Sequence, residues 1–561
     1  VAFIQYIFLH LYGLECSKNQ KLHPKLLSLF KNSQFMMKKI AQPVQGTLLI
    51  LFISLIFSAC SSTSNPGLKY VPKDANIVMS FNIMQMHDKL KDGNFNVDSL
   101  MNSLKTQDSA FSLLQYINLK NPVLSFIQYK STVMSGQDIV FAAIAELSDK
   151  SGFEKQIPVL YPGKSIEKKE GFSLLNLNDN SCYIWNDKMV VLYGGKNIAT
   201  QAPALFALKK DESLSEDKNA SKQLSQKGDI NIYTGSKDGA TGIPMLSMTK
   251  ISDLLKDNYG GATINFEKGR VVMNGDGYYN STVTDLIKKN PTKDLNKAVL
   301  AHFPGKPLGL FQISLNLKQI FSFLDYAGVT SMIEGYMKNL GITLDDVAKA
   351  FSGDVAIAVG SVNGSEVDKS APKMILSVPI GDKSSFDKVM GALAKMEIVY
   401  NQGGQWLPKG TSPEQAWSFH SDNKALVIST DKATSEAYIS GSGQMVYPKD
   451  LDFSGNTCVM YADLSTIFAQ MDTTQHTGDS TGIQLAAQTL EDFSFTASNM
   501  KGNHATANLT LNLKNKSENS LPVLIGIFQQ LDKYNKARES VVVTDSVSAL
   551  PAIPKDLQDG E

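Results

Sequence analysis

An α+β fold in two tandem homologous repeats is predicted by three features of the sequence. Short β-rich segments are joined by tight turns, which makes their pairing antiparallel. Segments of helical period lie between those strands, so the expected class is an antiparallel sheet with interspersed helices. The same order of segments then occurs twice, at an interval of more than 200 residues.

The duplication is carried by matched segments in matched order. Ser80-Phe-Asn-Ile-Met-Gln-Met86 corresponds to Ser314-Leu-Asn-Leu-Lys-Gln-Ile320, and Phe153-Glu-Lys155 to Phe386-Asp-Lys388. Asn186-Asp-Lys-Met-Val-Val-Leu192 corresponds to Asp422-Asn-Lys-Ala-Leu-Val-Ile428. Gly228-Asp229 precedes one apolar segment and Gly455-Asn456 another, and Lys268-Gly269 pairs with Lys501-Gly502. Ser135-Gly-Gln-Asp138 is set against Ser352-Gly-Asp354, although its offset of 217 falls outside the 227–236 of most other pairs. These matches place repeat one at 68–292 and repeat two at 293–536, as two lobes.

Each repeat opens with a strand, at 76–81 and 308–315, that runs into a helix-capping asparagine, Asn82 or Asn316. The helices that follow carry apolar faces at Ile83, Met86 and Leu90, and at Leu317, Ile320, Phe321 and Leu324. A polar helical stretch comes next, at 97–117 and 330–351. Within the second, Thr343 three residues before Asp346 resembles a capping box. Strands are expected at 138–145 and 354–362, with a further one at 373–379, and short helices at 152–157 and 384–395. Hairpins turn at Asn186-Asp187 and Asp422-Asn423, residues that tolerate tight turns. Helices at 199–208 and 432–439 follow, then the strands after Gly228 and Gly455. Each repeat closes with a long hairpin, turning at Lys268-Gly269 or Lys501-Gly502, and a terminal helix at 281–289 or 520–534. Asn274-Gly-Asp-Gly277 is expected to be a strand-end turn. Residues 537–561 lack periodicity, hold Pro551 and Pro554, and are expected to form a disordered tail.

Ahead of the repeats, Lys38-Lys39, an apolar run from Thr47 to Ala59 and then Cys60 have the layout of a lipoprotein signal peptide. The run is 13 residues long, short of the roughly 20 needed to span a bilayer. Residues 36–59 are therefore expected to be removed, leaving a lipid-modified Cys60 and a linker at 60–67. Residues 1–35 are expected to be a mis-annotated upstream extension. The expected partners are a membrane, held through Cys60, and an unidentified envelope protein or small ligand. Ser61 beside the cysteine points to the outer membrane, and the lack of an acidic cluster after Cys60 favours its periplasmic face over the cell surface.

From Cys60 onward, basic residues number 48 against 53 acidic ones, an unremarkable balance that leaves no footprint for nucleic acid. The five histidines of this part are at least 28 residues apart, without His-Glu-x-x-His or Cys-x-x-Cys spacing, so no metal or other cofactor is expected. Gly163-Lys164-Ser165 imitates the end of a phosphate loop, but Pro158 stands where that loop needs glycine. Ser440-Gly-Ser-Gly443 lacks the spacing of a nucleophile elbow. Cys182 and Cys458 are read as free thiols. With no catalytic motif, the expected role is non-enzymatic binding or scaffolding. The alternatives are a lipoprotein that captures a glycan, peptide or lipid, and a hydrolase with a dispersed site. Trp185 and Trp417, on hairpin strands in corresponding regions, are the candidate ligand-contact aromatics, with Trp406 nearby.

Lys69-Tyr-Val-Pro-Lys-Asp-Ala75, leading into an apolar strand and Asn82 after a lipoprotein-type leader, resembles the lipoproteins of Bacteroidetes-type bacteria known as domain of unknown function 4836. That resemblance implies two related halves and an envelope location, and it carries over no catalytic residue or cofactor.

Overall fold

The strands of this chain form an antiparallel sheet because nearly every one is followed by a tight turn or by a helix that returns the chain alongside it. A computed structural model describes residues 65–547, apart from scattered positions between 94 and 108 and the stretches 133–135, 237–249, 361–372, 410–417, 431 and 471–479. The expected leader, Cys60 and the extension before it lie outside the described residues, as does Trp417.

Residues up to 292 contribute β1 (Ile77–Phe81), β2 (Val123–Thr132), β3 (Gly136–Glu146), β4 (Glu167–Lys169), β5 (Phe172–Asn178), β6 (Ser181–Trp185), β7 (Met189–Gly194), β8 (Ile230–Ser236), β9 (Asn258–Glu267) and β10 (Arg270–Tyr278). Later residues contribute β11 (Pro307–Leu315), β12 (Gly353–Gly360), β13 (Met374–Pro379), β14 (Val399–Gln402), β15 (Gln405–Pro408), β16 (Ser418–Ser421), β17 (Ala425–Ser429), β18 (Asn456–Ala462), β19 (Leu490–Ser498) and β20 (His504–Leu513). All but the separate β14–β15 hairpin belong to one sheet.

The pairings in the two halves follow the same order. In the first, β1 lies between β2 and β8; outward run β2–β3–β7–β6 on one side and β8–β9–β10 on the other. In the second, β11 lies between β12 and β18; outward run β12–β13–β17–β16 and β18–β19–β20. The terminal strands β10 and β20 then pair with each other, so the expected two lobes share one continuous sheet.

This order corrects one of the matches made on sequence. β2 and β12 both pair with the opening strand of their half, so β2 is the counterpart of β12, and β3 that of β13. Setting Ser135 against Ser352 therefore aligned the wrong strands, which is why its offset stood apart. β2 itself was not expected: Val123-Leu-Ser-Phe-Ile-Gln128 mixes periods and gives no clean alternation.

The asparagine caps form as expected, with the side chains of Asn82 and Asn316 accepting from the backbone N–H of Gln85 and Gln319. The helix Ile83–Asp92 buries Ile83, Met86 and Leu90. The helix Leu317–Tyr326 buries none of its residues. Thr343 caps the helix Leu344–Ala350 through reciprocal hydrogen bonds with Asp346. The polar stretch 97–117 ends in a 3-10 helix, Ser109–Tyr116. The last helix, Ser520–Val547, runs beyond the expected end at 534 into the part read as a tail, where Lys536, Ala537, Arg538 and Glu539 favour helix and the first proline is Pro551.

One side of the sheet holds the main cores. In the first half Val78, Phe126, Ile144, Val191 and Tyr233 pack beneath Leu68, Tyr70, Leu205 and Leu224. In the second Leu310, Ala356, Ile375, Val427 and Val459 pack beneath Leu300, Phe303, Met445 and Phe453.

Candidate functional site

The seam between β10 and β20 lies between these two cores, on the same side of the sheet. Alternation puts Tyr278, Asp276, Asn274 and Val272 of β10 beside His504, Thr506, Asn508 and Thr510 of β20. Tyr259, Gly261 and Thr263 of β9 continue these rows on one flank, and Thr496 and Ser494 of β19 on the other. The result is a polar floor, with Asn274 and Asn508 opposite each other and exposed.

A column of rings borders this floor. Tyr259 stacks on Tyr278 with centroids 4.6 Å apart and planes 13° from parallel, and Tyr278 stacks on His504 at 4.6 Å and 23°. Tyr233 stands beyond Tyr259 at 6.5 Å. Nε2 of His504 lies 2.7 Å from Oδ1 of Asp276, and both side chains are 33% exposed. Burial, with Tyr278 and Asp217 adding to it, raises the Tyr259 phenol above its ordinary pKa, so its hydroxyl stays protonated and able to donate. The helix Lys218–Leu224 rises at the edge of the floor: Gln226 beyond its end accepts from the Thr263 hydroxyl at 2.8 Å, and Asp217 before it accepts from Tyr233 at 3.4 Å.

Gly261 lies on the floor at this point, and Gly260 beside it faces the other side of the sheet. Asn274-Gly-Asp-Gly277, expected as a turn, instead lies within β10. A Cβ on Gly261 would stand 2.4 Å from the side chain of Gln223, and one on Gly260 would stand 2.8 Å from the Asp276 carbonyl. Gly260 and Gly261 of β9 thus serve close packing, while the turn-like composition of Asn274-Gly-Asp-Gly277 concealed a strand.

Of the aromatic residues considered on sequence, Trp185 and Trp406 are described, and Trp417 lies outside the described residues. Trp185 is fully buried, meets Phe153 edge-on at 5.4 Å and donates its Nε1–H to Glu154 at 2.9 Å. Trp406, half-buried beside the cluster around Phe386, likewise donates its Nε1–H to an acid, Asp387, at 3.0 Å. The repeated Phe-acid-Lys motif thus holds an indole in each half, supplied by β6 in the first and by β15 in the second. Cys182 and Cys458 are free, and burial pushes the Cys182 thiol up to about 12. Among the described residues no group of three His, Cys, Asp or Glu side chains is placed to hold a metal ion.

These features define an antiparallel α+β protein with a polar seam at the middle of its sheet. The chain belongs to the family described as Domain of unknown function (DUF4836), which matches residues 69–390. No curated protein matches it. Among solved structures it is similar to crystal forms I and IV of TP0453, at 11% and 9% identity over 42% of this chain and 90% and 89% of those chains, with a TM-score of 0.24 in both cases. A likeness at that level carries no argument here.

Proposed function

We propose that this protein is a lipid-anchored envelope protein that binds a hydroxyl-rich ligand, of the glycan type, at the β10–β20 seam without transforming it. The observation that carries the reading is the stacked column Tyr259–Tyr278–His504 beside Asp276 and the exposed pair Asn274 and Asn508. Tyr and His present polar edges from apolar rings, and amide and carboxylate groups at strand spacing suit ligands with several hydroxyls. The shared strand order of the two halves supports their origin by duplication, as the matched segments of sequence do. Attachment through Cys60, at the periplasmic face of the outer membrane, belongs to the same proposal and rests on the leader sequence alone.

The test is a glycan-binding screen with the chain from residue 61, comparing wild type with Asn274→Ala/Asn508→Ala. A ligand bound by the wild type and weakened tenfold or more in the folded variant is the expected result. Equal binding by both proteins contradicts the seam as the site. A hydrolytic reading draws on the His504–Asp276 pair, and release of product from a bound glycan, lost in His504→Gln, would establish it in place of simple binding.

A further inference from the structure

The chain enters the described fold at a fixed point. Asn65 donates from Nδ2 to the Pro122 carbonyl at 2.7 Å, and its Oδ1 accepts from the Gly67 N–H at 2.9 Å at the start of the 3-10 helix Pro66–Tyr70. Gly67 is packed so closely on β2 and β3 that a Cβ there would stand 3.1 Å from Leu124 and 3.2 Å from Ile144. Asn65 is therefore pinned beside the start of β2. Cys60 stands five residues earlier, and even a fully extended chain keeps it within about 18 Å of Asn65. A lipid on Cys60 thus fixes which end of the sheet comes to a bilayer.

Neighbouring strands share that end. Phe81, the last residue of β1, pairs with Val123 of β2 and Ile230 of β8, and Glu146, the last of β3, pairs with Met189 of β7. β9 ends there at Glu267 and turns into β10. From β2, β7 lies two strands away and β9 three, about 10 and 14 Å at the usual strand spacing. Lys120 stands just before β2, Lys188 between β6 and β7, Lys227 just before β8 and Lys268 between β9 and β10, while Lys69 lies in the 3-10 helix after Asn65. All five are exposed, and among the described residues none of them forms an ion pair. The acids of the same end are engaged: Glu146 by Asn121, Asp187 by Lys150 at 2.6 Å, Glu267 by Arg270 at 2.8 Å, buried Asp229 by Lys89 at 2.6 Å, and Asp149 by the Gly152 N–H at 2.9 Å. Glu518, beside the Lys268-Gly269 turn, is the exception. The end of the sheet nearest Cys60 therefore presents unneutralised positive charge.

We infer that this basic strand end rests on an anionic phospholipid surface, with Cys60 as its tether. The inference rests on the anchored reading proposed above and adds the surface that the folded body turns toward the membrane. Lysines held close to a bilayer are attracted to anionic headgroups, over a distance set by salt screening. The short tether keeps these five within that range, and an acyl anchor joined to a basic surface holds more firmly than the anchor alone. Tyr278 and His504 of the seam stand at the opposite end of β10 and β20 from the Lys268-Gly269 turn, so the ring column stays clear of the surface.

The experiment is cosedimentation of the chain from residue 61, which holds the whole described fold, with vesicles of phosphatidylcholine and of an equal mixture of phosphatidylcholine and phosphatidylglycerol. Binding to the mixed vesicles that weakens with salt, falls tenfold or more in Lys120→Glu/Lys188→Glu/Lys227→Glu and persists in Lys338→Glu/Lys424→Glu/Lys501→Glu supports the inference. If the first variant does not fold, acetylation of the wild type gives an independent reading: mixed vesicles should slow modification of Lys120, Lys188 and Lys227 and leave Lys424 and Lys501 unaffected. No preference for the mixed vesicles, equal loss in both variants, or protection of Lys424 and Lys501 in place of the basic end overturns it. The anchor is tested separately, by the intact mass of the full chain from a host that processes lipoproteins. Lipid on Cys60 without vesicle binding removes the surface and keeps the anchor; vesicle binding without lipid on Cys60 removes the anchor and keeps the surface.

Discussion

Asp346 shows how one carboxylate can close a helix and tie it to its neighbour. It accepts from the Thr343 backbone N–H at 2.8 Å and hydroxyl at 2.7 Å, and from Lys388 Nζ at 2.6 Å. These partners, Lys388 foremost, hold its pKa down at about 2, below the 3.8 of an unperturbed aspartate. Because the folded value is the lower one, the stability it contributes is present above pH 3.8 and is lost as pH falls toward 2. Urea denaturation should therefore show Asp346→Asn less stable than wild type at pH 7, with the difference vanishing near pH 2. Thr343→Ala should cost about 1 kcal/mol as a lost cap. This capping pair was legible in the sequence, because a Thr followed three residues later by an acid acts through local geometry. The roles of Trp185 and Trp406 were not: their partners, Glu154 and Asp387, are 31 and 19 residues away, and nothing local marks such a pairing.

At the scale of elements, the same apolar spacing produces two different degrees of burial. Ile83, Met86 and Leu90 are nearly inaccessible, whereas no residue of Leu317–Tyr326 is buried. Periodicity predicts that a helix forms and which side is apolar, but its tertiary cover decides how firmly it is held. Hydrogen exchange should register the difference, with amides of Leu317–Tyr326 protected at least about tenfold less than those of Ile83–Asp92, since full burial of each large apolar side chain contributes roughly 1.5–3 kcal/mol. Equal protection would mean that the second helix is sealed in solution. The strand elements divide in a similar way. β20 could be read from its alternation of apolar and polar residues, and β11 from its apolar run, while the later part of β10 was hidden by glycines that look like a turn.

At the scale of the whole molecule, the seam has an internal symmetry that the sequence could only suggest. Asn274 pairs with Asn508 and Asp276 with Thr506, about a central pair Gly275 and Ala507. β10 and β20 each end the strand order of their half, and they run antiparallel, so their pairing joins like edges. That is the arrangement of a two-fold contact, here formed within one chain. The helices follow the same reciprocity: Ser281–Lys289 packs against Leu317–Tyr326, and Ser520–Val547 against Ile83–Asp92. Repeated order was legible because each half must satisfy the same local rules. The joining of the halves was not, because pairing between strand edges leaves no periodic signal.

The most direct test of this account is a pair of engineered cysteines across the seam. Directly opposed residues on one side of an antiparallel pair bring their Cβ atoms to about 4.5–5.5 Å, and a shift of one residue moves a side chain to the other side. Asn274→Cys/Asn508→Cys should form an intramolecular disulfide under mild oxidation, identified by mass spectrometry of the linked peptides, and Asn274→Cys/Leu509→Cys should not. Failure of the first pair to link, or linking of the second in its place, would contradict the β10–β20 register and with it the seam on which the proposed binding site is built.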